Sequence, residues 1–294
     1  MISATESYAH CRAVAKQRAR NFYYSFILLP EDRKNAMCAI YAFMRYCDDL
    51  SDEPGATKSA IEKWREALHA ALAGNPGPEP LWPAFLDAVS RYRIPHEYFD
   101  EMIEGVASDL EPRTISTFDE LYRYCYQVAS VVGLTTIHIF GFHSREALPL
   151  AEKCGIAFQL TNILRDVRED AALGRIYLPA EDLERFGVSP EDLKLARRTE
   201  PFGRLMEFEV DRARRYYRES SCLLDLVDRE ARASLWALIA IYSSLLEHVA
   251  ESHYDVLSRR ISLSGAEKTW IVLRAALGWI DQQPPQRQTA YLDK

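Results

Sequence analysis

Two short rows of oxygen- and nitrogen-bearing side chains stand out in this chain of 294 residues. Tyr41, Arg45, Asp48 and Asp52 stand at offsets 0, 4, 7 and 11, and Gln159, Asn162, Asp166 and Asp170 at offsets 0, 3, 7 and 11. At ~100° per residue each set falls on one narrow stripe of a helix. Both rows interrupt apolar helical sequence, MCAIYAFMRYC and CGIAFQLTNIL, and a polar row there should not face a core unless something compensates it. A solvated helix end is the ordinary explanation of a single acidic pair. Here, however, both acidic groups fall in the C-terminal halves of their helices, where the macrodipole disfavours carboxylates. Hard oxygen ligands on two facing helices suit Mg²⁺, which commonly takes one or two carboxylates together with substrate phosphates. Arg45 and Tyr41 would then meet the anion that such ions hold.

The elements that must position these rows read as helices throughout. Apolar residues recur at three- and four-residue spacing, and no Val/Ile/Thr-rich alternating run sits between turn signals as a strand would. The expected class is all-α, with helices near 4–18, 31–53, 57–73, 79–92, 95–110, 117–141, 146–171, 200–228, 230–257 and 264–281. Pro30 followed by Glu31 and Asp32 marks a helix start, and Gly74-Asn75-Pro76-Gly77-Pro78 marks a loop. The segment from Gly174 to Pro190 is the longest of mixed character. With no linker-like shift in composition and no internal repeat, one helical domain over 1–281 is expected, and 282–294, with DQQPPQRQ, reads as a disordered tail.

Composition removes several functions. Lys and Arg number 36 against 43 Asp and Glu, a net charge of −7, so no whole-chain basic field exists to hold nucleic acid. The 6 cysteines are scattered without a CxxC pair, and the 7 histidines include no i, i+4 pair, so zinc sites lack support. No GxGxxG, GxxxxGK[ST] or GxSxG occurs, which leaves a Rossmann dinucleotide site, a P-loop and a serine nucleophile unsupported. Scattered, reduced thiols and the lack of a signal-like N-terminus suggest a cytoplasmic setting. The longest apolar stretches, Leu235 to Leu246 and Val128 to Phe142, fall short of the ~20 residues of a spanning helix. The arginine-rich Arg212 to Arg218 reads as a solvated helix face with stacked tyrosines. Phe22, Tyr23, Tyr24, Phe26, Phe43 and Tyr46 read as packing aromatics, with a second use as ring faces that steady a cation and exclude water.

DDLSD (Asp48 to Asp52) and NILRDVRED (Asn162 to Asp170) resemble the two aspartate-rich motifs of the squalene/phytoene synthase family, which joins two prenyl diphosphates head to head. Phe22 to Asp49, Tyr124 to Gly133 and Gly155 to Pro179 are similar to the family's three signature regions, in order, and the likeness covers about residues 8–262. It implies an all-α isoprenoid-synthase bundle around a central cavity. Asp48 and Asp52 would hold Mg²⁺ on one wall, and Asn162, Asp166 and Asp170 on the other. Tyr41, Arg45, Arg165, Tyr242 and Arg260 match diphosphate-contacting positions, with Arg20 where relatives carry a lysine. Gln159 and Tyr126 match positions near the reacting carbons, and Tyr126 is a candidate proton acceptor.

The nearest likeness is to bacterial squalene or presqualene diphosphate synthases. The expected reaction is therefore condensation of two farnesyl diphosphates to presqualene diphosphate and onward to a C30 product, with NADPH as reductant where squalene is formed. Phe22 and Phe26, one turn apart, and Phe158 are expected to close the prenyl pocket for C15 tails. A phytoene synthase using two geranylgeranyl diphosphates is the rival. A terpene cyclase fits less well, because Asn162, Asp166 and Asp170 do not follow its Asn/Asp, Ser/Thr, Glu pattern. A non-catalytic assembly factor of the same fold would tend to have eroded motifs, and both are intact here. Expected partners are the prenyl diphosphates, downstream isoprenoid-pathway enzymes and a membrane surface for product release.

Overall fold

Helix starts fall where the sequence carries capping chemistry. Thr57, Thr117, Ser189, Thr199 and Ser264 each accept a hydrogen bond from the backbone N–H three residues on, and Ser189 and Ser264 complete reciprocal boxes with Asp192 and Glu267. The computed structural model describes residues 2–18, 20–52, 57–110 and 113–280, and of 20–22 and 52 the backbone alone. Its α-helices are α1 (Ala4–Arg18), α2 (Arg20–Phe26), α3 (Glu31–Asp52), α4 (Lys58–Leu72), α5 (Trp82–Tyr92), α6 (Glu97–Ser108), α7 (Phe118–Cys125), α8 (Val131–Phe140), α9 (Ala147–Ala172), α10 (Ala180–Phe186), α11 (Pro190–Lys194), α12 (Glu200–Glu219), α13 (Leu223–Leu226), α14 (Arg229–Glu251) and α15 (Gly265–Ala276). Among the described residues there is no strand, only two isolated bridges. The all-α expectation holds.

The differences from the expected helices have local causes. The expected helix 117–141 is broken by a π-helical turn, Tyr126–Ser130, between α7 and α8. The expected 230–257 stops at Glu251, because His253 and Tyr254 take φ of 53° and 61°. The expected 200–228 ends at Glu219, with α13 following as a separate turn. The mixed segment after Gly174 holds the short helices α10 and α11, and α2 was not foreseen. The expected disordered tail and the side chains of Arg20, Phe22 and Asp52 lie outside the described residues.

The helices α3, α4, α5 and α6 are joined by an aromatic cluster. Phe43 stacks on Trp64 and Phe85 at 5.4 and 4.6 Å and meets Phe99 edge-on at 5.4 Å, all four being buried. This fixes the roll of α3, whose opposite face is then free to line a cavity. The α14 helix is long and apolar enough to cross a bilayer by composition, unlike the shorter stretches weighed from sequence, yet 67% of its most apolar window is buried within the protein. It is a core helix here.

Candidate active site

A cavity of about 350 Å³ runs between α3, α6, α8, α9 and α14. From α3 it receives Met37, Ile40, Tyr41, Met44, Asp48 and Ser51, and from α9 Ala151, Cys154, Gly155, Phe158, Gln159 and Asn162. Each set is a single helical stripe, apolar at its N-terminal end and polar at its C-terminal end. Tyr41 and Asp48 of the first row and Gln159 and Asn162 of the second thus face one space, while Arg45, Asp166 and Asp170 do not line it. The third wall is the π-helical turn with α8, which presents Val128, Ala129, Val132, Gly133 and Thr136.

Close backbone approach makes that wall. A Cβ on Gly155 would stand 2.5 Å from Ser130 Cα, and one on Gly105 would stand 2.8 Å from Val128 Cγ1. Only glycine lets α9 and α6 clasp the π-helical turn from both sides. The extra residue in the turn changes the register, as π-bulges at functional sites do.

The register decides which tyrosine meets the cavity. Tyr124 lines it and is 3% exposed, whereas Tyr126 does not line it and lies among Glu97, Glu101, Arg123 and Glu152. The expectation for Tyr126 is corrected to Tyr124, two residues earlier and on the stripe that continues through Val128 and Val132. The Tyr124 hydroxyl donates to Asp109 at 2.9 Å, and Tyr177 donates to the other oxygen of Asp109 at 2.8 Å. Asp109 lines the cavity just beyond α6 and was not singled out from sequence. Burial pushes its carboxyl above the usual range, against the two tyrosines and Arg175, which pull it down. Burial likewise raises the Tyr124 phenol well above normal.

The second aspartate row is bent. Asp166 leaves helical geometry, at φ −104° and ψ 15°, inside α9. There it accepts paired hydrogen bonds from Arg165, one at 2.8 Å, and from Arg260, at 3.0 and 3.2 Å. Arg165 and Arg260, expected to contact diphosphate, are thus gathered on a carboxylate at the cavity's polar end, outside its lining. Asp170 sits one turn on, beside Arg175 and Tyr177. Its carboxyl is pushed up to about 7 by burial and then by the charge of Asp166.

On α3, Arg45 is not in the cavity lining. It lies in a groove between α1 and α3 with Arg18, where Nε donates to Asp49 at 2.8 Å, and Arg18 grips the same carboxylate at 3.1 Å. Asp48 Oδ2 stands 4.0 Å from Arg45 Nη1. Tyr41, Gln159, Asn162 and Tyr242 all line the cavity as expected, and Phe158 stacks on Tyr242 with ring centres 4.5 Å apart. Burial pushes the Tyr242 phenol up to about 12.

The donor chemistry fits a hard divalent cation. Asp48 and Asn162 face the cavity from opposite walls, and the crowded Asp166 and Asp170 carry charge that a cation would steady. Among the described residues no three His, Cys, Asp or Glu side chains converge closely enough to hold a metal ion alone.

The comparisons agree with this geometry. Residues 15–267 match the family described as squalene/phytoene synthase. The chain belongs to that family. Membership makes it a prenyltransferase of the head-to-head isoprenoid-synthase type, in a family of divalent-metal-dependent enzymes. The 15-cis-phytoene synthase of Synechococcus elongatus is 36% identical over 279 residues, 88% of this chain and 89% of that one. A chloroplastic phytoene synthase 1 of Zea mays is 35% identical over 93% of this chain and 68% of that one. A dehydrosqualene synthase solved with a ligand superposes with a TM-score of 0.87 at 29% identity, over 94% of this chain and 97% of that one.

The phytoene synthases among these relatives overturn the farnesyl reading and the C30 product, although the superposed structure is a squalene-type synthase. Phe26 and Phe158 both line the cavity, Phe158 stacked on Tyr242, but so do the small Ala129, Gly133, Ala151 and Gly155, and the two rings alone do not set the tail length.

Proposed function

We propose that the chain is a phytoene synthase, joining two C20 geranylgeranyl diphosphates head to head. The observation that carries this reading is the match, over nearly nine-tenths of both chains, to a relative bearing that name. Met37 to Ser51 on α3 cover fourteen steps, ~21 Å of helix axis, and Ala151 to Asn162 on α9 eleven steps, ~16 Å, so the apolar walls run several turns beside the tails.

Asp48, Asp52, Asn162, Asp166 and Asp170 are the residues that would hold Mg²⁺, which when bound withdraws charge from the leaving diphosphate. The guanidiniums of Arg165 and Arg260, already at the polar end, add charge-assisted donors for the same group. Arg45 reaches it by exchanging Asp49 for phosphate. The apolar stripes hold both tails side by side and exclude water from the allylic cation. The faces of Phe158 and Tyr242 steady that cation without offering a strong nucleophile. When the cyclopropane closes, the Tyr124 oxygen can accept the departing proton while its own proton passes to Asp109, whose raised affinity suits it to receive one.

Steady-state kinetics of the purified chain with Mg²⁺ and each diphosphate alone test the reading. A higher kcat/KM for geranylgeranyl than for farnesyl diphosphate is expected, and the reverse order would refute it.

A further inference from the structure

Arg45 stands on the cavity stripe of α3 by position, four residues after Tyr41 and three before Asp48, both of which line the cavity. Its guanidinium does not follow its backbone. Nε and Nη2 both donate to Oδ1 of Asp49, Nε at 2.8 Å, and the side chain lies in the neighbouring groove of about 360 Å³ between α1 and α3. Arg18, across that groove, reaches Oδ1 and Oδ2 of the same carboxylate at 3.2 and 3.1 Å. Two guanidiniums thus share one carboxylate, next to Asp48 at the polar end of the cavity.

Such a cluster permits exchange. An Arg and an Asp at i, i+4 in that order, late in a helix, gain little from the backbone, because the favourable order is the reverse and the macrodipole opposes a carboxylate there. When Arg45 leaves, Arg18 stays on Asp49, so no bare, partly buried carboxylate is left behind to penalise the break. A diphosphate at the polar end offers more charge and more acceptor oxygens than one carboxylate, so it draws Arg45 over. Its departure reverses the balance. We infer that Asp49 is a positioning residue that competes with diphosphate for Arg45, holding the guanidinium beside the empty cavity and recapturing it as inorganic diphosphate leaves. Asp49 then keeps diphosphate affinity below what the site could reach, and so speeds product release. The inference rests on the proposed contact of Arg45 with diphosphate, and it holds for either tail length.

Calorimetric titration of the full chain with inorganic pyrophosphate and Mg²⁺ tests it. Asp49→Asn should bind about three- to tenfold more tightly than the unmutated chain, a gain that a residue serving structure alone would not give, and Asp49→Glu should restore the original affinity. In turnover the same tightening should appear as a lower inhibition constant for added pyrophosphate. Arg45→Ala should weaken binding, and adding Asp49→Asn to it should change nothing further. Weaker binding in Asp49→Asn, as from loss of a metal ligand, would overturn the inference. So would an equal gain with Arg45 absent, which would reflect bulk charge alone. Unchanged binding in Arg45→Ala would remove the diphosphate contact and the inference with it, whereas a loss in Arg45→Ala without a gain in Asp49→Asn would refute the inference alone.

Discussion

Replacing Tyr124 by phenylalanine removes one hydroxyl from the cavity wall and leaves the ring, its packing and the π-helical turn unchanged. The lost contact is a 2.9 Å hydrogen bond to the buried carboxylate of Asp109, which keeps the 2.8 Å bond from Tyr177. That bond is made in the resting enzyme, so its loss should lower stability by ~1.5–3 kcal/mol, while the fall in kcat comes from the lost general-base step, worth roughly a hundredfold or more. The proton relay through Tyr124 is lost with it, so the loss should appear in kcat more than in KM. Tyr126→Phe, outside the cavity, should stay within about threefold. Both variants are assayed for head-to-head product with Mg²⁺ and geranylgeranyl diphosphate, alongside circular dichroism to confirm that both are folded at the assay temperature. If Tyr126→Phe were the more damaging change, the placement of the wall and the relay would both be wrong.

Other outcomes follow from single features. Asp48→Asn should abolish turnover, as should chelation of divalent ions, while the melting curve moves little, because its carboxylate is half exposed; full activity in either case would refute the two-wall site. Gly155→Ala should destabilise by ~1–3 kcal/mol, since the new methyl meets Ser130 backbone at 2.5 Å, whereas Gly203→Ala in α12, with nothing within 4 Å, should stabilise by ~0.5–1 kcal/mol in denaturant titrations. Burial, and then the charge of Asp182, push Glu209 up to about 8, against Arg212 at 2.8 Å. The folded state therefore holds a proton that the unfolded chain releases near 4.5, so stability should fall as pH rises from there through 8. Glu209→Gln should flatten that slope in melts across the range, and an unchanged slope would assign it elsewhere.

Much of the site was readable because it obeys helical periodicity. Offsets placed Asp48 and Tyr41 on one stripe of α3 and Gln159 and Asn162 on one stripe of α9, ligand chemistry and the family resemblance set the two face to face, and the cavity lies between them. Three things were not readable. Asp109 belongs to no motif and acquires its role from two distant tyrosines, one 68 residues away. Tyr124 and Tyr126 flank Cys125 alike, and the π-helical turn that separates their surroundings has no sequence signal, although the apolar stripe Val128, Val132, Thr136 extends back by fours to Tyr124. Arg45 shares a helical face with Asp48, yet Asp49 one position on captures its guanidinium at 2.8 Å and turns it toward α1. Tail length was misread because ring size at a few positions does not give the depth of a cavity built by five helices, and Phe158 packs on Tyr242, a residue 84 positions away that no local pattern links to it.

The central claim is that the chain joins two C20 diphosphates in preference to two C15 ones. Competition tests it most directly: the purified chain, Mg²⁺, and equal amounts of isotopically distinct geranylgeranyl and farnesyl diphosphates, with the lipids identified by mass. Mainly C40 product is predicted. Mainly C30 product, with geranylgeranyl diphosphate left unconsumed, would contradict it.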